Sequence, residues 1–164
     1  MTTRRNHAEL MATDVHVRPL RDADVPALIH LINGLASHHG DLPRVSHSSL
    51  ARDALGPHPW LSVLVLEREG SLLGYSALCP RAQLHFGIRG MDIHHLFLVE
   101  EARGLGLGRV LIDASVSFAA EKHCAFVVVS TNPDNADAQS FYLACGFEAF
   151  PNDASRFRKR LPVT

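Results

Sequence analysis

"VEEARGLGLGRVLI" (residues 99–112) sets three glycines at alternate positions behind an arginine and then runs straight into an apolar helical pattern. A chain that discards its side chains at Gly104, Gly106 and Gly108, where a helix must begin, does so for one of two reasons. Either the backbone there takes dihedral angles that cost glycine nothing, or an anion approaches it closely. The free N–H groups of a helix's first turn, with roughly half a positive charge from its dipole, suit an anion. Two common phosphate loops are excluded by spacing. No Gly-Lys-Ser/Thr follows, so this is not a Walker A loop, and G-x-G-x-x-G would need glycine where Arg109 stands. Tight helix–strand packing remains the alternative for the loop taken alone.

Working outward, "GMDIHHLFLV" (90–99) reads as the strand that enters the loop. The helix that leaves it buries Leu107, Leu111, Ala114 and Phe118, spaced by three and four. "AFVVVS" (125–130) is a continuous β-branched run, as expected of a central strand covered on both faces. A helix from about Asn135 ends at "CGF" (145–147), where Gly146 supplies the cap. Upstream, "VHVRPL" (15–20) is a short strand, and Asp22 or Asp24 caps a helix with an apolar face of Val25, Leu28, Ile29, Ile32 and Leu35. A second helix begins near 46–49, runs to about Leu55 and is stopped by "GPHP". "WLSVLVLE" (60–67) and "LLGYSALC" (72–79) form a hairpin, and a last strand is expected at roughly 155–161. This order of elements predicts an α/β (α+β) fold: a mixed, mostly antiparallel central sheet with helices on both faces.

The 164 residues suit one domain, taken as 14–164, with 1–13 expected to be a disordered N-terminal segment. A net charge of −1 sets up no global field for nucleic acid or an anionic membrane, and neither is expected as a partner. No apolar run has the length of a membrane span, and no signal-peptide pattern opens the chain. The three widely spaced cysteines read as reduced thiols, which predicts a cytoplasmic protein.

Taken as Arg103-x-x-Gly106-x-Gly108 between strand and helix, the glycine stretch resembles the coenzyme-A loop of the GNAT superfamily of N-acetyltransferases. "NADAQSFYLACGF" (135–147) is similar to that family's closing helix, with Asn135, Ala138, Phe141, Tyr142, Gly146 and Phe147 in its pattern. The likeness covers roughly 15–161, and its specific part is 91–147. "LARDALGPHPWLSVLVLE" (50–67) and "HHLFLVEEARGLGLG" (94–108) resemble the spermidine/spermine and thialysine N-acetyltransferase branch. That branch implies a cytosolic homodimer that acetylates a primary amine of a small molecule. It carries adjacent acids where this chain has His94 and His95, which removes the carboxylates that would recognise a polyamine.

The resemblance implies acetyl-CoA as cosubstrate and no metal. Its pyrophosphate would meet Arg103 and the N–H groups of Gly104, Leu105, Gly106, Leu107, Gly108 and Arg109. The pantetheine arm would run along the backbone of Leu96, Phe97 and Leu98, with the Leu98 N–H as oxyanion donor. Asn135 would bind the cofactor or merely cap its helix, and Tyr142 would bind it and protonate the leaving thiolate. Strand alternation predicts Asp92, His94, Leu96 and Leu98 on one face, with His95 and Phe97 opposite. His94, on the face of Leu98, is the expected base, with His95, Asp92 or a water as alternatives. Two other readings stay open: an acetyltransferase of protein N-termini or lysines, and a non-catalytic acyl-CoA sensor.

Overall fold

Alternation of large apolar residues makes the centre of the sheet. Val63 and Val65 turn to one face of a strand and Leu64 and Leu66 to the other, and all four are buried. In the computed structural model, which describes residues 14–150 with 157, 159 and 160, this strand is β2 (Ser62–Arg68). It lies between β1 (Val15–Pro19) and β3 (Ser71–Gln83), followed by β4 (Ile88–Leu98) and β5 (Cys124–Val129). The order is β1-β2-β3-β4-β5, antiparallel except for the parallel β4–β5 pair. The α/β fold class and the mixed, mostly antiparallel sheet are as expected.

Helix α1 (Val25–His39) covers one face. It buries Val25, Leu28 and Leu31 in a core with Val65, Tyr75 and Ala77, while Ile29, Ile32 and Leu35 pack at its margin. Asp24 accepts from the Arg21 N–H at 2.8 Å in a short 3₁₀ turn that leads into α1, and Gly40, at φ +72°, closes the other end. A short helix, α2 (His47–Leu50), follows with a Ser46–Ser49 capping box and continues as a wider turn to Leu55.

Helix α3 (Leu107–Glu121) covers the opposite face, buried at Leu107, Leu111, Ile112, Ser115 and Ala119. The expected Ala114 and Phe118 are only half-buried, so the face is rotated from the one that hydrophobicity suggests. The reason is a satisfied polar pair. The Ser115 hydroxyl donates to the Leu111 carbonyl at 2.7 Å and accepts from the buried Ser76 hydroxyl at 2.8 Å.

The described residues fall into two compact units, one up to residue 130 and one from residue 131. The second contains α4 (Ala136–Ala144), where Asn135 Oδ1 accepts from the Ala138 N–H at 3.0 Å and Gly146, at φ +89°, ends the helix. Among the described residues β5 is the last strand of the sheet, rather than a central one. The strand expected at 155–161 falls mainly on residues outside the described set, as does the 1–13 segment.

Candidate active site

The glycine turn shows both special dihedrals and an uncovered backbone. Gly104 and Gly106 sit at φ +72° and +77°, and a Cβ at either would meet nothing within 4 Å. The turn therefore needs glycine for its dihedrals and also leaves open space over the backbone. Gly106 is the N-cap of α3 without a capping side chain, so the first-turn N–H groups of Leu107 and Gly108 have no intrahelical acceptor. A short 3₁₀ turn, Glu100–Ala102, joins this loop to β4. Arg103 fastens it: its Nε donates to the Leu98 carbonyl at 3.1 Å, and its guanidinium lies 5.7 Å from the centre of the Phe97 ring.

Strand β4 has one open edge. Its parallel pairing with β5 runs only from Arg89 to Ile93, so His94 to Leu98 has β3 on one side and no strand on the other among the described residues. The Val99 N–H donates to the Leu73 carbonyl at 2.9 Å, which sets the phase of the antiparallel ladder. By its alternation, Phe97 spends its N–H and C=O on β3, while those of Leu96 and Leu98 face the open edge. Phe97 contributes a side chain instead. Its ring packs against α1 at Gly34, where an added Cβ would come within 3.0 Å. With His30, His38, Glu100 and Arg103 it lines a cleft of about 430 Å³. Opposite Leu98, β3 carries Gly74, whose Cβ would fall 2.5 Å from the Leu98 side chain and from the Phe97 carbonyl.

The expected alternation along β4 is wrong at the histidines. Ala77 pairs with His95 but Leu78 pairs with Ile93, so His94 is the extra residue of a β-bulge. Asp92, opposite Cys79, consequently joins the face of His95 and Phe97, and Ile93 joins that of Leu96. Instead of pointing apart, the His94 and His95 rings stack with centres 4.5 Å apart and planes 16° from parallel. His94 is exposed; His95 is half-buried, with Nδ1 at 3.1 Å from the Tyr75 hydroxyl. Burial, aided by the charges of His94 and His39, holds the His95 imidazole down at about 4. No group of three or more metal-ligating side chains occurs among the described residues.

In the second unit, Tyr142 lies near the end of α4, its ring edge-on to Phe147 at 5.9 Å between centres. Burial and the neighbouring Cys145 raise its phenol above the ordinary range, which keeps it protonated and able to donate. Tyr75, Gly34 and Gly74 were not among the residues singled out from sequence. The glycine inside the strand pattern "LLGYS" was the available signal for Gly74.

Residues 32–147 match the Acetyltransferase (GNAT) family. A mycothiol acetyltransferase of Cellulomonas flavigena is 28% identical over 120 residues, 68% of this chain and 34% of that protein, so the chain spans about a third of it. A phosphinothricin N-acetyltransferase of Alcaligenes faecalis is 28% identical over 148 residues, 85% of this chain and 73% of that one. The solved structure of an aminoglycoside N-acetyltransferase in complex with CoA superposes with a TM-score of 0.75 at 21% identity, covering 90% of this chain and 95% of that one. No helix among the described residues is long and apolar enough to cross a membrane. With a glycine turn opening onto a helix N-terminus and a strand edge left open beside it, the chain belongs to the acetyltransferase (GNAT) family.

Proposed function

We propose that this protein transfers the acetyl group of acetyl-CoA to the primary amine of a small molecule by direct attack in a ternary complex. The observation that carries the reading is the continuity of two features in one unit. An open, positive-φ glycine turn at the head of α3 follows directly on a strand whose outward amides at Leu96 and Leu98 have no neighbouring strand among the described residues. The turn from Arg103 to Arg109 suits a pyrophosphate, and the strand edge suits the amides of a pantetheine arm. Acetyl-CoA supplies the activated thioester. The Leu98 N–H is the donor for the oxyanion, while His94, the exposed imidazole of the stacked pair, takes the proton of the incoming amine. As the N–C bond forms and the C–S bond breaks, Tyr142 returns a proton to the thiolate. Asn135 and Tyr142 enter this scheme through resemblance to the family's closing helix.

The named relatives act on small molecules, as their names state, and the acceptor class is carried over from them. The finer likeness to the polyamine branch supports a cytosolic homodimer. It does not extend to polyamines, because imidazoles stand at 94 and 95 and a neutral imidazole gives no Coulombic attraction to a second ammonium. Thiol release on mixing with acetyl-CoA and a panel of amines tests the proposal. Turnover is expected with monoamines at a higher kcat/KM than with spermidine. Acetyl-CoA binding without turnover by any amine or peptide would make the protein a sensor, and turnover with peptides alone would make it a protein acetyltransferase.

A further inference from the structure

Tyr75 is fully buried in β3, yet it carries a hydroxyl. Among the described residues the partner of that hydroxyl is Nδ1 of His95, 3.1 Å away, with the two rings edge-to-face at 6.0 Å. The contact follows from register. Tyr75 lies opposite Phe97 and Ala77 opposite His95, which makes Tyr75 and His95 diagonal neighbours on one face. A phenol has a single proton to place. If Nδ1 carried the ring's hydrogen, the Tyr75 proton would be left in the core without an acceptor, at the cost of an unmet buried donor.

We propose that Tyr75 is a positioning residue: its hydroxyl donates to Nδ1 of His95 and holds that imidazole neutral, with its proton on Nε2, so that His94 is the one imidazole of the stacked pair free to accept a proton. The inference rests on the acetyl-transfer reading only for that last step, since the tautomer is a property of the resting protein. Among the described residues, the groups that face His95 support a neutral ring. Tyr75 approaches from β3, His94 from β4 and His39 from the end of α1, and the charges that act on the ring are the two imidazoles, both of which oppose a positive charge. Protonation would also turn Nδ1 into a donor and force the phenol to give up its acceptor.

Two-bond proton–nitrogen spectra of protein labelled at histidine nitrogen test this without turnover. In the wild type, His95 should show an unprotonated Nδ1 and a protonated Nε2 unchanged across about pH 5 to 8. A protonated Nδ1, or a His95 that titrates in that window, overturns the proposal. The variant Tyr75→Phe should populate the other tautomer and raise the His95 titration by about one pH unit, the worth of one buried neutral hydrogen bond. An unchanged tautomer and titration in Tyr75→Phe would equally overturn it. The kcat/KM profile of that variant should gain a second ionisation, whereas a purely packing role would lower the whole curve without reshaping it. His95→Asn places an acceptor oxygen near the Nδ1 position and should keep the acidic limb, while His94→Asn should abolish it; the reverse pattern would make His95 the base. A protein that acetylates no amine while showing the expected tautomer removes the reaction and leaves the Tyr75 assignment standing.

Discussion

The two halves of β4 belong to one strand and meet opposite conditions. From Ile88 to Ile93 the strand is flanked by β3, and by β5 from Arg89 onward; Met91 and Ile93 are buried, and the space at Gly90 is filled by the Phe126 ring. From His94 to Leu98 it has, among the described residues, β3 on one side only, and its residues are half-buried or exposed. Backbone N–H and C=O groups demand partners. The first half has satisfied its own, so it is architecture. The second half keeps the outward N–H groups of Leu96 and Leu98 in reserve, and the bulge at His94 marks the point where one regime gives way to the other.

The strongest way to break this comparison is through the two residues proposed above to carry protons. The kcat/KM of wild type should show an acidic limb that depends on His94. His94→Ala should lower kcat/KM by roughly 10²- to 10⁴-fold and remove that limb, so that activity climbs only as the amine itself deprotonates. Superimposable profiles would take His94 out of the chemistry. Tyr142→Phe should cost a similar factor in kcat but keep the limb and the affinity for acetyl-CoA, since the lost hydroxyl serves the transition state.

Next in size is the glycine turn. Gly106→Asn keeps a residue that tolerates a left-handed dihedral while adding bulk over the backbone, whereas Gly106→Val adds the bulk and a dihedral strain of about 1–2 kcal/mol. Both should weaken acetyl-CoA binding by about 100-fold or more, the worth of one or two hydrogen bonds to a charged group. Only the valine variant should also lose thermal stability. Unchanged affinity in a folded asparagine variant, measured by calorimetry, would move the phosphate site elsewhere.

A matched pair of substitutions then sharpens the contrast between the halves. Gly74→Ala and Gly90→Ala each insert a methyl group where the backbone or a ring already stands, at Leu98 in one case and Phe126 in the other. Each should cost about 1–3 kcal/mol of stability by overpacking. Gly74→Ala pushes on the open half and should also lower kcat per folded molecule, whereas Gly90→Ala should not. Equal kcat values in the two variants would mean that the position of Leu98 does not matter to the reaction.

Legibility from sequence followed the same division. The glycine pattern of 104–108, the alternation of β2 and the capping of α4 by Asn135 and Gly146 are local signals, and each appears where its chemistry requires. The stack of His94 on His95 was not legible, because a bulge is a disagreement between two strands about register and leaves no mark in "DIHHL" alone. The rotated face of α3 was hidden because Ser115 reads as a solvent residue until Ser76 is seen opposite it. "AFVVVS" suggests cover on both faces, and its residues in β5 are in fact half-buried, with Ala125 exposed. Tyr75 looked like one more apolar strand residue; its hydroxyl acquires meaning only through the partner that register brings to it.

The smallest expected effect lies at the far side of the sheet, where β1 and β2 give a control remote from both halves of β4. Arg18 donates to Asp24 at 2.6 and 2.9 Å and to Glu67 at 2.5 Å, tying β1 to β2 and to the start of α1. The bonds to Arg18 hold the Asp24 carboxyl below its ordinary 3.8, and they hold Glu67 below its ordinary 4.5. A carboxyl whose folded pKa is depressed binds fewer protons folded than unfolded, so stability rises with pH across that interval. The contribution is therefore complete above the unfolded values, near pH 5 and higher. It is lost as pH falls through about 4.5 toward the lower folded values. Asp24→Asn should reduce stability by about 2 kcal/mol at neutral pH, the order of a hydrogen bond to a charged group. It should also flatten the acid side of a plot of unfolding free energy against pH, because one of the depressed carboxyls is gone. Measured per folded molecule, kcat/KM should match wild type, since this network touches neither the glycine turn nor the open edge. An acid slope as steep in Asp24→Asn as in wild type would show that Asp24 gains nothing from Arg18, and a changed kcat/KM would show that the far edge of the sheet is coupled to β4 after all.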